Sequence, residues 1–391
     1  MSAAAAGAQA LTAKQVRSYI MRTTGPQQFF TQTFSTLGTF NIPKNIPLLL
    51  PLAYIMIRVK GRYVVGAASF VPSPEAPQNI IQQVRLIGTH ATLGQLTPIQ
   101  ASGATLFALN RVFGVRGNSY IDTGTRFAEL GKPMGFTQAQ FGTTATTHDF
   151  ELFYTIPVFP YNVPDEQAIQ YLYNAAAWGQ TLQLQIVTAD GTAWNTTAGN
   201  ITFSAFGSGA GSPSIDIMLV YASLGPLATS IQQAVRVLNV TSLTSVLQAN
   251  SNGVRLALLQ NQRTLNVIQK TGTSQAGVSA GVSAFGTLSD TQTEQTILRT
   301  NNNPIRNLQF NDATAEFYGY RFDTVMPTGY LNLSFTDSNP LPNVHTGFRG
   351  EKLPGGTQFD IATNVVGAGG TNIGEIIQDM VYGEPVIAGQ S

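Results

Sequence analysis

The pentapeptide Gly277-Val278-Ser279-Ala280-Gly281 matches the G-x-S-x-G frame that presents a nucleophilic serine in acyl transfer, and Asp290 or Asp337 and then His345 follow it in hydrolase order. That chemistry needs a buried strand before the serine and a helix after it. Here QKTGTSQA precedes and GVSAFG follows, so a glycine-serine loop accounts for the match. His90, His148 and His345 are too scattered for a metal site, and the adjacent pair His148-Asp149 cannot complete one alone. Cysteine is absent, which removes thiol catalysis, disulfides and cysteine-ligated zinc. The run Gly124 to Lys132 has glycines too far apart for a phosphate loop, with Pro133 where a magnesium-binding hydroxyl belongs. GAGGTNIG from Gly367 lacks the dinucleotide register. Asp165 and Glu166 are neighbours on a helix and point to different faces, unlike a glycosidase acid pair. Arg111 and Arg116 flank Phe113, and at a net charge of +1 they read as a cationic loop at a subunit interface rather than a nucleic-acid contact. No catalytic, cofactor-binding or metal site is expected, and no specific nucleic acid.

The elements that would position such residues are mostly strands. Strand-like runs recur at 32–42, 50–65, 80–88, 150–159, 181–188, 215–222, 264–269, 315–323, 330–336 and 357–366, separated by Gly, Pro, Asn and Ser clusters, which argues for sandwiches or barrels. The break 207-GSGAGSPS-214, the strand IDIMLVYASLG and Pro226 place a domain boundary near 223–230, giving an arm over 1–28 and β-domains over 29–224 and 225–391. LQLQIVTAD from Leu182 and LNLSFTDSN from Leu331 rhyme across the two halves, as tandem similar domains would. Short helices are expected at 231–238 and 242–247, and a small-residue loop over 272–290. Ile46 to Ile57, with two prolines, is too short for a membrane span and reads as one buried strand.

Only 10% of residues are charged, against roughly 25% in ordinary soluble domains, so the surface is built from uncharged polar residues or is buried against other subunits. The N-terminus lacks the order of a secretory signal and looks like the start of an intracellular product. Before Glu75 every charged residue is basic (Lys14, Arg17, Arg22, Lys44, Arg58, Lys60 and Arg62); after Lys352 every one is acidic. Thr12 can cap a short helix with Val16, Tyr19 and Ile20 on one stripe. This helix reads either as docked on its own domain or as an arm reaching an anionic surface or a neighbouring subunit.

The block FELFYTIPVFPYNVPDEQAIQYLYNAAAWGQTLQLQIVTADG from Phe150 reads as strand, helix, strand. Pro157 and Pro160 end the first strand at a sheet edge. Pro164, Asp165 and Glu166 suit a helix start, Ile169, Leu172, Tyr173 and Ala176 make an apolar stripe, and Gly179 suits its stop.

This order, FYTIPVFPYN, then DEQAIQYLYNAAAW, then TLQLQI, resembles the F-strand, flanking helix and G-strand of the double jelly-roll major capsid proteins of tectivirus-like, internal-membrane-containing bacteriophages. The N-terminal helix, IDIMLVYASLG and PTGYLNLSFTDSNP are similar in order and length. The resemblance implies a mainly β chain of two tandem jelly-roll sandwiches with short flanking helices. It also implies a non-enzymatic homotrimer, forming pseudo-hexagonal blocks that tile an icosahedral virion shell assembled in the host cytoplasm. Neighbouring capsomers, minor capsid or vertex proteins and inner-membrane lipids would be its partners, with Lys14, Arg17 and Arg22 on the membrane-facing arm and Ile169, Leu172, Tyr173 and Ala176 on an assembly brace. A trimeric β-sandwich spike or receptor-binding protein is the alternative.

Overall fold

The structure is a computed structural model and describes residues 25–67, 70–73, 75–91, 93–112, 120–122, 127–129, 141–158, 171–195, 200–203, 213–222, 236–246, 254–257, 263–274, 285–288, 295–300, 303–309, 330–334, 351–352, 357–362 and 370–381. Its elements run β1 (Gln27–Thr33), β2 (Asn41–Pro47), β3 (Leu52–Val65), β4 (Ile81–His90), β5 (Gly94–Ala101), α1 (Gly103–Val112), β6 (Tyr120–Asp122), β7 (Phe127–Glu129), β8 (Thr147–Pro157), α2 (Ala175–Trp178), β9 (Thr181–Thr188), β10 (Ile201–Phe203) and β11 (Ser214–Tyr221). They continue through β12 (Arg236–Val246), β13 (Val254–Ala257), β14 (Arg263–Ser274), β15 (Phe285–Leu288), β16 (Gln295–Thr300), β17 (Asn303–Gln309), β18 (Tyr330–Ser334), β19 (Glu351–Lys352), β20 (Thr357–Ala362) and β21 (Gly370–Val381).

Strand pairing reveals the same wiring twice. In the first half β1-β11-β3-β8 form one sheet and β2-β9-β4-β5 the other. Numbered along the chain, eight strands therefore pair as 1-8-3-6 and 2-7-4-5, the two interlocked Greek keys of a jelly roll. In the second half β12-β21-β14-β18 and β13-β20-β16-β17 repeat that order strand for strand. The short β6, β7, β10, β15 and β19 are additions at the margins. One sheet of each half is continuous with the other, because β12 lies parallel to β5 with Val240 opposite Ile99.

β3 shows why the first roll holds together. Its side chains alternate between buried and half-buried without a break from Ala53 to Val65, the period a sheet needs to put one face on a core. Ile55, Ile57, Val59 and Tyr63 meet Leu152, Tyr154 and Ile156 of β8, Val84 and Leu86 of β4 and Leu184 and Ile186 of β9 in one cluster between the sheets. Pro157 ends β8 where β6 no longer covers it, since β6 pairs only with Phe150 and Glu151. Among the described residues no strand covers β8 there, which suits its proline.

Several sequence expectations are corrected. Where two helices were expected, at 231–238 and 242–247, residues 236–246 form a single strand, β12, paired along its whole length with β21. Val237, Leu238, Asn239 and Val240 are all buried, so the alternation that marks a half-exposed strand is missing. The run Ile46 to Ile57 is two strands in different sheets joined by an exposed turn at Leu49 and Leu50, not one buried strand. The 272–290 segment is framed by strand residues, Gly272 pairing with Leu288 and Ser274 with Phe285. The rhyme between Leu182 and Leu331 is not one of equivalent strands, because β9 is the seventh strand of its roll and β18 the sixth of its own. The strands around residues 150 and 182, placed as F and G, are the sixth and seventh, G and H when the first is lettered B. The 1–28 arm overlaps β1, which starts at Gln27. The 315–323 strand expectation lies outside the described residues.

Candidate functional site

Among the described residues, those singled out for chemistry do not converge. Ser279, Asp290, Asp337, His345, Asp165, Glu166, Arg116, Lys14, Arg17, Arg22 and Ile169 lie outside the described residues. The Gly124 to Lys132 run contains a strand, β7, paired with β6, and the glycine run from Gly367 leads into β21, a strand rather than the helix a phosphate loop needs. His90 is buried edge-on against Trp178, ring centroids 5.2 Å apart. His148 is fully buried 5.2 Å from Tyr63, its Nε2 2.8 Å from Thr146 Oγ1. Asp149 turns to the opposite face of β8, where its carboxylate accepts from Arg62 Nε at 2.6 Å. Alternation along the strand thus separates the pair that sequence places side by side. Among the described residues no three His, Asp or Glu gather as a metal site would need, and no helix is long and apolar enough to cross a membrane.

The brace takes a different form from the one expected. Tyr173 is extended, bridging Leu52, and its carbonyl accepts from Leu52 N at 2.8 Å. The helix α2 is a single turn that starts only after Asn174, whose side chain accepts from Ala177 N at 2.9 Å, a cap that satisfies an otherwise orphaned donor. Gly179 ends it at φ +70° and ψ −165°, a positive-φ conformation open to glycine but not the left-handed helical one expected of it. Leu172 and Tyr173 are buried but not on a helical stripe; Ala176 is exposed, and Ala177 and Trp178 are the helix residues turned inward. Trp178 stacks edge-on with Tyr173 at 4.8 Å, and Leu172 packs with Ala53, Val220 and Ala222 on the outer face of the other sheet. The segment clamps one end of the sandwich by tying both sheets together. Burial pushes the Tyr173 phenol above its ordinary value, and does the same to Tyr154, whose hydroxyl donates to Gln78 O at 3.0 Å.

The basic residues of β3 are spent inside the fold. Arg58 Nε donates to Asp216 Oδ2 at 2.7 Å and its Nη1 reaches Glu151 Oε1 at 3.4 Å; Lys60 Nζ lies 3.9 Å from the same aspartate. Arg62 is bidentate to Asp149, and that hydrogen bond, first among the causes, holds the guanidinium pKa up. Three cations on alternate positions of β3 face three acids on β8 and β11. The sequence shows the signs of these residues but not their pairing, which is set by register between strands about 90 and 160 positions apart.

A contact that sequence reading missed joins the two rolls. Tyr330, at the start of β18, donates to Glu75 Oε1 at 2.8 Å, and both residues are buried. Glu75 belongs to a hydrogen-bonded segment; Asn79 N donates to its carbonyl at 3.2 Å. Pro77 O, two residues on, accepts from Trp194 Nε1 at 3.0 Å, and Asn79 donates to Ala193 O. The lone acid in an otherwise acid-free first quarter was the available signal.

No protein-family model matches the chain, and no curated protein sequence does. Solved structures do. A structure from Sulfolobus turreted icosahedral virus aligns with a TM-score of 0.58 over 90% of this chain and 90% of its own, at 14% identity. The PBCV-1 virus capsid follows at 0.54 over 91% and 94%, at 11% identity, and the Faustovirus major capsid protein at 0.52 over 93% and 90%, at 8%. The alignments cover nine-tenths of each chain and so span both rolls. With the doubled 1-8-3-6 and 2-7-4-5 wiring, they give this chain the double jelly-roll fold of viral major capsid proteins.

Proposed function

We propose that this chain is the major structural subunit of an icosahedral viral shell, with a first jelly roll running from β1 to about residue 224 and a second over the rest of the chain, standing side by side. The observation that carries the proposal is the repetition of one strand order in both halves, joined through β5 and β12. Two like rolls per chain are what a trimer needs to present six similar sides to a hexagonal lattice. The fold shared end to end with the viral structures supports the same reading. Further support comes from the low charge, which lets large areas be buried between subunits without costly desolvation.

In this reading the chain assembles as a homotrimer, packs against neighbouring capsomers and minor or vertex proteins, and lies over an internal membrane with the N-terminal arm ahead of β1 directed inward. Its role is structural rather than catalytic. The test is copy number: quantitative mass spectrometry of purified particles should find this chain in hundreds of copies per particle, as its most abundant protein. A few copies per vertex would replace the shell reading with a spike.

A further inference from the structure

Each roll has four edge strands, the first and sixth of one sheet and the second and fifth of the other. An edge offers a row of unpaired backbone N–H and C=O groups to any further strand, and stable proteins cover or blunt it. In the first roll three of the four are so treated. β5 lies against β12, β8 is continued by β6 and β7, and β2 carries Pro43, Lys44 and Pro47. β1 is the exception. Its sequence, QQFFTQT, has neither a charge nor a proline, five of its seven residues are exposed, and among the described residues it pairs only with β11. Phe29 stands outside that ladder, at the shift of register between Gln28 and Phe30, and is 37% exposed. The charges beside β1 have partners of their own: Lys44 lies over the Phe30 ring, and Asp216, opposite Thr31, accepts from Arg58.

In the second roll β12 is the counterpart of β1 and β17 the counterpart of β5. Among the described residues β17 pairs only with β16. The two fifth strands also share a local sequence, Pro98-Ile99-Gln100 in β5 and Pro304-Ile305-Arg306 in β17. Proline takes a donor out of the ladder, and Ile99, the residue after it, is the one that meets Val240 of β12. The junction inside the chain is therefore the fifth strand of one roll beside the first strand of the next, in parallel. The same two halves are left unused at the outer sides, β1 on the first roll and β17 on the second. Two different, complementary edges on one chain make a head-to-tail contact, which closes into a ring or runs on as a filament.

We propose that β1 is the docking strand for β17 of a second copy of this chain, the two running parallel as β5 and β12 do, with Ile305 of one copy opposite the stretch around Phe29 of the next. Every roll in the assembly then meets its neighbour through the same pair of strands, whether the neighbour belongs to the same chain or to another. Phe29, exposed on an uncharged strand, leaves water in that contact. The inference deepens the shell reading and rests on it for the number of copies in the ring, three; the strand contact itself rests on the edges.

Because the chain has no cysteine, Phe29→Cys and Ile305→Cys can be introduced into the full chain, alone or together, and joined by a short bismaleimide. Neither single variant should cross-link with itself, the two co-expressed should give a cross-linked dimer, and the double variant should give dimers and trimers and nothing larger. Self-linking of a single variant means that like strands meet, and overturns the head-to-tail contact. No cross-link in samples that light scattering shows to be trimers overturns it as well and leaves the shell reading standing. A ladder that runs past three keeps the contact and removes the trimer, whereas monomers at every concentration remove both. Phe29→Lys puts a charge on the edge and should raise the concentration needed for assembly at least about tenfold, with the melting temperature of the monomer unchanged. Assembly of that variant at the wild-type concentration overturns the role of β1.

Discussion

Replacing Tyr330 by Phe removes one hydroxyl and nothing else from the seam between the rolls. The ring is buried at 1% exposure and keeps its volume, so no cavity opens; what is lost is the bond to Glu75 Oε1 at 2.8 Å. A buried hydrogen bond to an acidic side chain contributes about 1.5–3 kcal/mol. At an m-value of about 3 kcal/mol per molar urea, the upper end for a domain, that is a shift of about 0.5–1 M in the unfolding midpoint. Both tryptophans, Trp178 and Trp194, sit in the first roll, whereas Tyr330 sits in the second. Tryptophan emission therefore reports a roll that the mutation does not touch directly. The expected result is that urea lowers the tryptophan midpoint in Tyr330→Phe, and that Glu75→Gln and the double variant give a coupling of at least about 1 kcal/mol. A tryptophan midpoint that does not move, with only the circular-dichroism transition shifting, would refute the claim that this bond welds the rolls.

Three further outcomes follow from the first roll. Leu172→Asp puts a charge among Ala53, Val220 and Ala222 and should cost more than about 3 kcal/mol in thermal unfolding. Ala176→Asp, on the exposed side of α2, should change stability by less than about 0.5 kcal/mol, and equal effects would restore a single apolar stripe through both. Gly103→Ala drives a Cβ into Gln78 O and to 2.9 Å from the Tyr154 ring, so a loss of about 1–3 kcal/mol is expected; a wild-type melting temperature would count against that close approach. The phenols of Tyr154 and Tyr173 are held neutral by burial, so above pH about 10 the unfolded chain releases protons that the folded chain keeps. Stability should be unaffected by these groups below that pH and fall above it by about 1.4 kcal/mol per pH unit for each phenol. Thermal melts from pH 8 to 11.5 check this, and Tyr173→Phe should flatten the slope; an unchanged slope would contradict it.

The fold was legible where strands are half-exposed or bounded by turn residues. β3, β4, β9 and β11 lie within two residues of where alternation puts them, and the resemblance supplied the doubled roll. It failed where burial erases the pattern. Residues 237–240 of β12 are buried on both faces, so the run mimics a helical period, and α1 is buried nearly all round over 103–110, leaving no stripe to read. The brace misled for a related reason. Leu172 and Tyr173 are indeed apolar and inward, but Tyr173 reaches the core by bridging Leu52 rather than by helical spacing, an interaction across 121 positions that no local window contains. The pairings of Arg58 with Asp216 and of Glu75 with Tyr330 are long-range in the same sense. The exposure of Leu49 and Leu50 was hidden because PLLLPL scores as core until the turn splits it between two sheets.

The most direct measurement is the solution mass of the purified full chain by light scattering, with negative-stain images of the same fractions. The expected result is a trimer of 41.7 kDa chains, about 125 kDa, compact and hexagonal in outline. A monomer at every concentration up to assembly, or an elongated trimer without six-sided projections, would contradict the proposal that the two rolls build one side-by-side shell unit.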